Sequence, residues 1–135
     1  MTDMPRPIPN MDDLDTAGFF KAAAEHKLTI RTCTQCGASY SLPREYCREC
    51  GAFAMEWKEV SGKATLHAYT VVTHPVHPAF PVPYTAVLVD LVDVPGARMV
   101  GNIPGEHHLE VGQAMEVWFE HVEDGIVLPQ WKVAQ

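Results

Sequence analysis

The spacing of apolar and polar positions changes along the chain, and each change marks a new element. Residues 1–10 show no period and carry proline at alternate positions, Pro5, Pro7 and Pro9. Proline lacks an amide donor and biases its predecessor towards extended backbone, which predicts an arm rather than a helix. Over residues 11–27 the pattern becomes helical: Leu14, Phe19, Phe20, Ala23, Ala24 and then Leu28 recur every three to four positions. Asp12, Asp13 and Asp15 suit a helix start. Gly18 weakens the middle, so one broken helix or two short ones fit. An apolar stripe this short must dock on the body of the protein or on another chain.

From residue 28 the period is two. LTIRT (28–32) and MEWKEV (55–60) alternate on either side of a cysteine-bearing segment, the latter placing Met55, Trp57 and Glu59 on one side. Ser61-Gly62 marks a turn. KATLHAYTVVT (63–73), YTAVLVDLV (84–92), RMVGNI (98–103), AMEVWFEHV (114–122) and IVLPQWKV (126–133) then read as five strands. The second is apolar almost throughout, as a strand covered on both faces would be. Pro75, Pro78, Pro81 and Pro83 make the connection between the first two a loop, and PGEHHLEVG (104–112) has room for one helical turn. Five strands with a small helical insertion after the third is the pattern of an OB-fold barrel; a flat sheet or a sandwich is the competing reading. The expected organisation is α+β and mainly β: an arm and helix at 1–27, a metal-binding ribbon at 28–60 and a barrel at 61–135.

Composition adds limits on partners and location. No stretch approaches the ~18 consecutive apolar residues of a membrane span, and MTDMPRPIPNMDD lacks the apolar centre of a signal peptide. These features predict a cytoplasmic protein, where structural disulfides are rare. The formal charge is −7; four thiolates and one divalent ion would move it to about −9. An acidic chain repels phosphate backbones, which disfavours nucleic acid as a partner.

All four cysteines lie in CTQCGASYSLPREYCRECG, as Cys33-x2-Cys36 and Cys47-x2-Cys50, each pair followed by glycine. Two-residue spacing lets a tight turn present both sulfurs to one ion, and Gly37 and Gly51 provide the backbone freedom such turns need. Two facing turns complete a tetrahedral sulfur site suited to structural Zn2+, one per chain, with no position left for water or substrate. Iron in a rubredoxin-like site uses the same ligands, and spacing alone does not separate the two metals. A thioredoxin-type pair would need one reactive CxxC at a helix start.

With ribbon and barrel in this order, residues 20–131 resemble the acyl-CoA-associated OB-fold family with an N-terminal rubredoxin-like zinc ribbon, formerly catalogued as a domain of unknown function. CTQCG, SLPREYCRECG with its Pro43-Arg44, MEWKEVSGKATLHAYTVV, PVPYTAVLVDL, EVGQAMEVWF and Pro129 carry the resemblance. It implies a non-catalytic accessory subunit that pairs with thiolase-like, or in some members hydratase-like, enzymes acting on acyl-CoA thioesters. In that picture the barrel supports binding or channelling of the acyl-CoA while the partner supplies the nucleophile. Two features depart from the family: a common glycine before the first ribbon strand is replaced around His26-Lys27, and the charge is acidic. The charge favours contact with the partner over direct contact with CoA. The functional alternatives from other classes are a single-stranded nucleic-acid-binding OB-fold and a rubredoxin-like iron electron carrier.

Several further residues admit both a chemical and a packing reading. His74 and His77 in the proline loop lack further ligands nearby, which predicts an exposed loop rather than a second metal site. His107 and His108 have no nucleophile in prospect for a base to serve. The apolar run from Phe80 to Tyr84 reads as a lid on the barrel or as a contact surface for a partner or acyl chain. Trp57, Trp118 and Trp131 could stack on bases, but the strand patterns around Trp118 and Trp131 predict core packing. Arg31, Lys63 and Arg98 read as a solvated face before they read as phosphate ligands. The loop at 38–46, between the cysteine pairs, is the candidate partner contact of the ribbon.

Overall fold

A computed structural model describes residues 4–135, so the first three residues of the expected arm lie outside the described residues. Residues 4–10 have no regular structure, in keeping with their alternate prolines. Helix α1 spans Ala17–Ala24, well short of the expected 11–27. The side chains of Asn10 and Asp13 accept the backbone N–H groups of Asp12 and Asp15 at 2.9 and 2.8 Å. These local bonds build turns that compete with the helix, so it begins only beyond them. Leu14 is consequently outside the apolar stripe and exposed. The helix is not broken at Gly18. A Cβ there would overlap the Trp57 indole, so the residue that weakens helix propensity is the one that lets this ring approach. At the other end His26 N–H donates to Ala23 O (2.8 Å) and Lys27 N–H to Ala22 O (3.0 Å), the two bonds of a Schellman cap. The cap requires a left-handed residue, and His26 takes that place at φ 61°.

Strands β1 (Thr29–Cys33), β2 (Ser39–Tyr40) and β3 (Met55–Glu59) form an antiparallel sheet in the order β2-β1-β3. Every residue of β1 is buried, against the alternation expected from its sequence. As the central strand it packs Ile30, with Leu28 just before it, into the core, while the other face is covered by the loop after β2.

The remaining strands are β4 (Lys63–Val72), β5 (Tyr84–Leu91), β6 (Arg98–Pro104), β7 (Ala114–Glu123) and β8 (Ile126–Val133), hydrogen-bonded in the order β6-β5-β4-β7-β8. β4 serves two neighbours: Lys63, Ala64 and Thr65 pair with β7, while β5 follows its whole length past a bulge between Leu66 and Ala68. A bulge bends a strand and strengthens its twist, which a small closed sheet requires. The outer strands β6 and β8 meet where Gly101 faces Trp131. A Cβ on Gly101 would lie 2.9 Å from the indole Cδ1, and the Asn102 N–H reaches the Gln130 Oε1 at 2.9 Å. This is the OB-fold expected from the strand pattern.

Strand β5 alternates between buried and half-buried residues, so only one of its faces is fully covered. Residues 105–110 form no helical turn. The hydroxyl of fully buried Thr85 donates to Gly105 O (2.8 Å) and accepts the His107 N–H (3.0 Å), tying this segment to β5 instead. Ribbon and barrel share one core: Leu28, Ile30 and Val60 pack with Leu66, Val89, Met115 and Trp131.

Candidate metal centre and adjoining cleft

β1 delivers Cys33 at its last residue, and the chain then repeats one local device twice. Gly37 N–H bonds Cys33 O at 2.9 Å and Gly51 N–H bonds Cys47 O at 2.8 Å. Cys33 N–H bonds Ala38 O, and Cys47 N–H bonds Ala52 O, at 2.8 and 2.9 Å. Both glycines stand at positive φ, 81° and 78°, where a side chain would be strained. The two turns bring the four sulfurs within 4.8 Å of one another, with Cys33 and Cys47 buried and Cys36 and Cys50 exposed. Across the turns, Cys33 Sγ lies 3.6 Å from Cys50 Sγ, and Cys36 Sγ 3.5 Å from Cys47 Sγ. A disulfide needs about 2.05 Å. A tetrahedral tetrathiolate with metal–sulfur bonds of about 2.3 Å spaces its sulfurs roughly 3.8 Å apart, and the observed set fits it.

Four sulfurs this close cannot all ionise without a cation. The Cys36 amide lowers the Cys33 thiol, outweighing its burial. The Tyr40 hydroxyl, ahead of nearby amides and sulfurs, brings Cys47 down to about 6. The Ala38 amide acts to lower Cys36, but the Cys47 sulfur and desolvation outweigh it and push Cys36 up to about 12. Cys50 also rises, because desolvation and the Cys33 sulfur overcome the Ala52 amide. A bound divalent cation would remove this division by holding all four as thiolates. Tyr40 was not marked by sequence. Its oxygen accepts the N–H groups of Arg48 (3.1 Å) and Glu49 (3.2 Å), which leaves its own hydrogen for the Cys47 sulfur at 3.3 Å. No spacing rule identifies such a residue; β2 brings it across from β1.

Beside the ribbon lies an apolar cleft of about 510 Å³ between α1, the ribbon sheet and the barrel edge. Phe19, Phe20 and Leu42 line one side and Met99, Val100 and Leu128 the other. Leu42 and Val100 are 79% and 73% exposed, so the rim is apolar too. A smaller hollow of about 210 Å³ shares the wall Tyr40-Ser41-Leu42 and carries Arg44 and Arg48. Arg31 corrects its expected place on a solvated face. It is 8% exposed, donates to Arg44 O (3.1 Å) and Glu45 Oε1 (3.0 Å), and lies 4.8 Å over the Trp57 ring. Arg31 therefore fastens the ribbon loop to β1.

Arg98 is exposed and paired with Asp90 at 2.8 Å, and Lys63 is exposed. Trp131 is core, Trp57 packs on α1 at Gly18, and Trp118 is half-buried. His74 is exposed, and the His77 Nδ1 accepts the Ala79 N–H at 3.0 Å, a turn-forming bond within its own loop. Among the described residues, the four cysteines are the group of three or more metal-binding side chains close enough to share an ion. His26 was noted only as the site of a missing glycine. Its left-handed backbone explains that position, and its ring stacks on Phe119 at 5.2 Å while its Nε2 meets the His121 Nε2 at 2.7 Å. Histidine tolerates this conformation better than most side chains, and these contacts hold it there.

Among the described residues no helix is long and apolar enough to cross a membrane. Residues 20–56 match the rubredoxin-like zinc ribbon domain of ChsH2, and residues 57–120 match the C-terminal OB-fold domain of ChsH2. A "Probable enoyl-CoA hydratase alpha subunit" of Thermomonospora curvata is 33% identical over 132 residues; the match covers 96% of this chain but 40% of that protein. A "DUF35 domain-containing scaffold protein" of Methanothermobacter thermautotrophicus is 31% identical over 110 residues, 76% of this chain and 81% of the relative. A solved structure described as "Ltp2-ChsH2(DUF35) aldolase" contains a chain with TM-score 0.83 and 32% identity, covering 96% of this chain and all of that one. A Sulfolobus solfataricus DUF35 protein of unknown function shares the fold at TM-score 0.62 and 17% identity, over 92% of this chain and 86% of its own. The cysteine ribbon, the barrel behind it and these matches agree: the chain belongs to the DUF35 family, as a ChsH2-type zinc ribbon joined to an OB-fold domain.

Proposed function

We propose that this chain is a non-catalytic accessory subunit of an acyl-CoA-processing enzyme, thiolase-like in the first instance, and that it supports the substrate site of that partner. The observation that carries the reading is the apolar cleft at the seam of ribbon, helix and barrel, continuous in its wall with an arginine-bearing hollow. An acyl-CoA thioester joins an apolar acyl chain to an anionic head, and the two hollows offer those two environments side by side. The relatives support the assignment by their names: a scaffold protein, a hydratase subunit and an aldolase assembly.

In this reading Cys33, Cys36, Cys47 and Cys50 hold one structural zinc ion. The metal would fix the ribbon loop at 38–46 against the cleft, and four thiolates leave it no open position for substrate. Residues 1–27, 28–60 and 61–135 act as arm with helix, ribbon and barrel. Chemistry on the thioester belongs to the partner, while Leu42, Met99 and Val100 exclude water from the acyl chain. The test is affinity purification of the tagged chain from its native host, with metal analysis of the product. We expect an acyl-CoA enzyme in stoichiometric amount and one equivalent of zinc in a colourless sample. A chain recovered alone would count against the subunit assignment, and a red, iron-containing sample against zinc.

A further inference from the structure

A further hollow of about 310 Å³ lies beside the β4–β5 loop, with Arg6 of the N-terminal arm lining one side of it and Asn102 and Gln130 shared with the apolar cleft. In OB-folds this loop is one of the two that frame a bound ligand. Here the chain's own Arg6 forms part of the frame. The alternate prolines of Pro5-Arg6-Pro7-Ile8-Pro9 favour polyproline II, which repeats every three residues. Burial follows that period: Arg6 and Pro9 are half-buried, while Met4, Pro5, Pro7 and Ile8 are exposed. The arm therefore presents one edge to the barrel.

That edge meets a constructed acceptor. Arg6 Nη1 and Nη2 donate to the two carboxylate oxygens of Glu120, both at 3.0 Å, with each side chain 28% exposed. The guanidinium stands 5.4 Å over the Phe80 ring. Behind it, Gln130 Nε2 donates to Glu120 Oε1 at 3.0 Å, and Gln130 Oε1 accepts the Asn102 N–H at 2.9 Å. Strands β6 and β8 thus aim the carboxylate of β7 independently of the arm. The Arg6 bond holds the Glu120 carboxyl below its ordinary range. A fork-shaped guanidinium matched to a carboxylate and stacked on an aromatic face is a specific form of recognition that lysine does not reproduce. The match is incomplete, because Arg6 Nε is buried without an acceptor. An unmet polar group limits how tightly the arm is held, which leaves the position open to competition.

We propose that this groove is a recognition site for an extended arginine–proline peptide, its arginine position held by the chain's own Arg6 until a partner's segment of the same chemistry displaces it. Phe80, Pro81, Pro83 and Trp118 supply the apolar walls that such extended segments use, and Glu120 selects the arginine. The site adjoins the cleft assigned to the acyl-CoA partner and shares Asn102 and Gln130 with it, but its test does not depend on that assignment.

The experiment uses the full chain with Arg6→Ala, which frees the Glu120 carboxylate and leaves the barrel side of the groove unchanged. A synthetic peptide of residues 4–10 is titrated into it by calorimetry. We expect saturable binding at least about tenfold tighter than to the unsubstituted chain, whose tethered arm competes. Binding should be lost when the peptide carries alanine for its arginine, and when Glu120→Gln is added to the chain. Equal affinity for the two chains overturns the proposal, as does binding that survives either loss of charge. So does failure to bind an Arg6→Ala chain whose hydrogen exchange shows an intact barrel.

Discussion

The ribbon tip and the barrel are stabilised by different means. Between residues 34 and 54 only Cys47 is buried, so this stretch has almost no apolar core of its own. The barrel buries Leu66, Val87, Val89, Leu91, Met115 and Trp131 among themselves. Twenty-one residues without a core cannot offset their conformational entropy by burial, whereas ligation of one ion can supply the deficit. The two halves should therefore fail under different treatments. Leu28 and Ile30, which reach from the ribbon into the common core, mark the line between them.

The largest expected effect is loss of the proposed metal ligands. Cys47→Ser, or stripping with a strong chelator, should abolish stoichiometric metal binding and expose residues 34–54 to rapid hydrogen exchange. Structural zinc contributes about 10–16 kcal/mol in small zinc-dependent domains. Strands β4–β8 should keep their protection; if they melt together with the tip, the division is wrong. The converse substitution is Trp131→Ala. It removes the largest fully buried side chain, where the indole packs at 1% exposure against Gly101. Denaturant titration should show a loss of about 3–5 kcal/mol with metal content unchanged. The smallest change sharpens the contrast. Tyr40→Phe keeps the ring and removes the hydrogen bond to the Cys47 sulfur. Competition with a chromophoric chelator should show metal affinity lowered by about 10–100-fold. Barrel stability should stay within about 0.5 kcal/mol.

What was legible in the sequence follows the range of the interaction. The paired CxxCG units were readable because each is a local turn whose geometry depends on residues four apart. The five barrel strands were readable because one covered face imposes a period of two. The helix boundary was misread because Asn10 and Asp13 satisfy nearby amides locally and so spend the helix-start signal on turns. Gly18 was read as a weakness, when its value depends on Trp57, which lies 39 positions away. Arg31 looked solvent-facing because its acceptors, Arg44 O and Glu45, arrive from another loop. The segment 105–110 looked helical because nothing nearby reveals Thr85 as the partner for its backbone.

By itself the sequence determined the pairing of the four cysteines, the order of ribbon and barrel, and the family resemblance. These rest on spacing, period and residue type, which are properties of neighbours along the chain. Only the tertiary structure decided that Tyr40 serves Cys47, that the seam between the two sheets leaves an apolar cleft, and that Arg6 closes on Glu120. Each of these joins residues from different elements. Their energy comes from surfaces and charges that meet only after the sheets have formed, so no pattern along the chain foretells them.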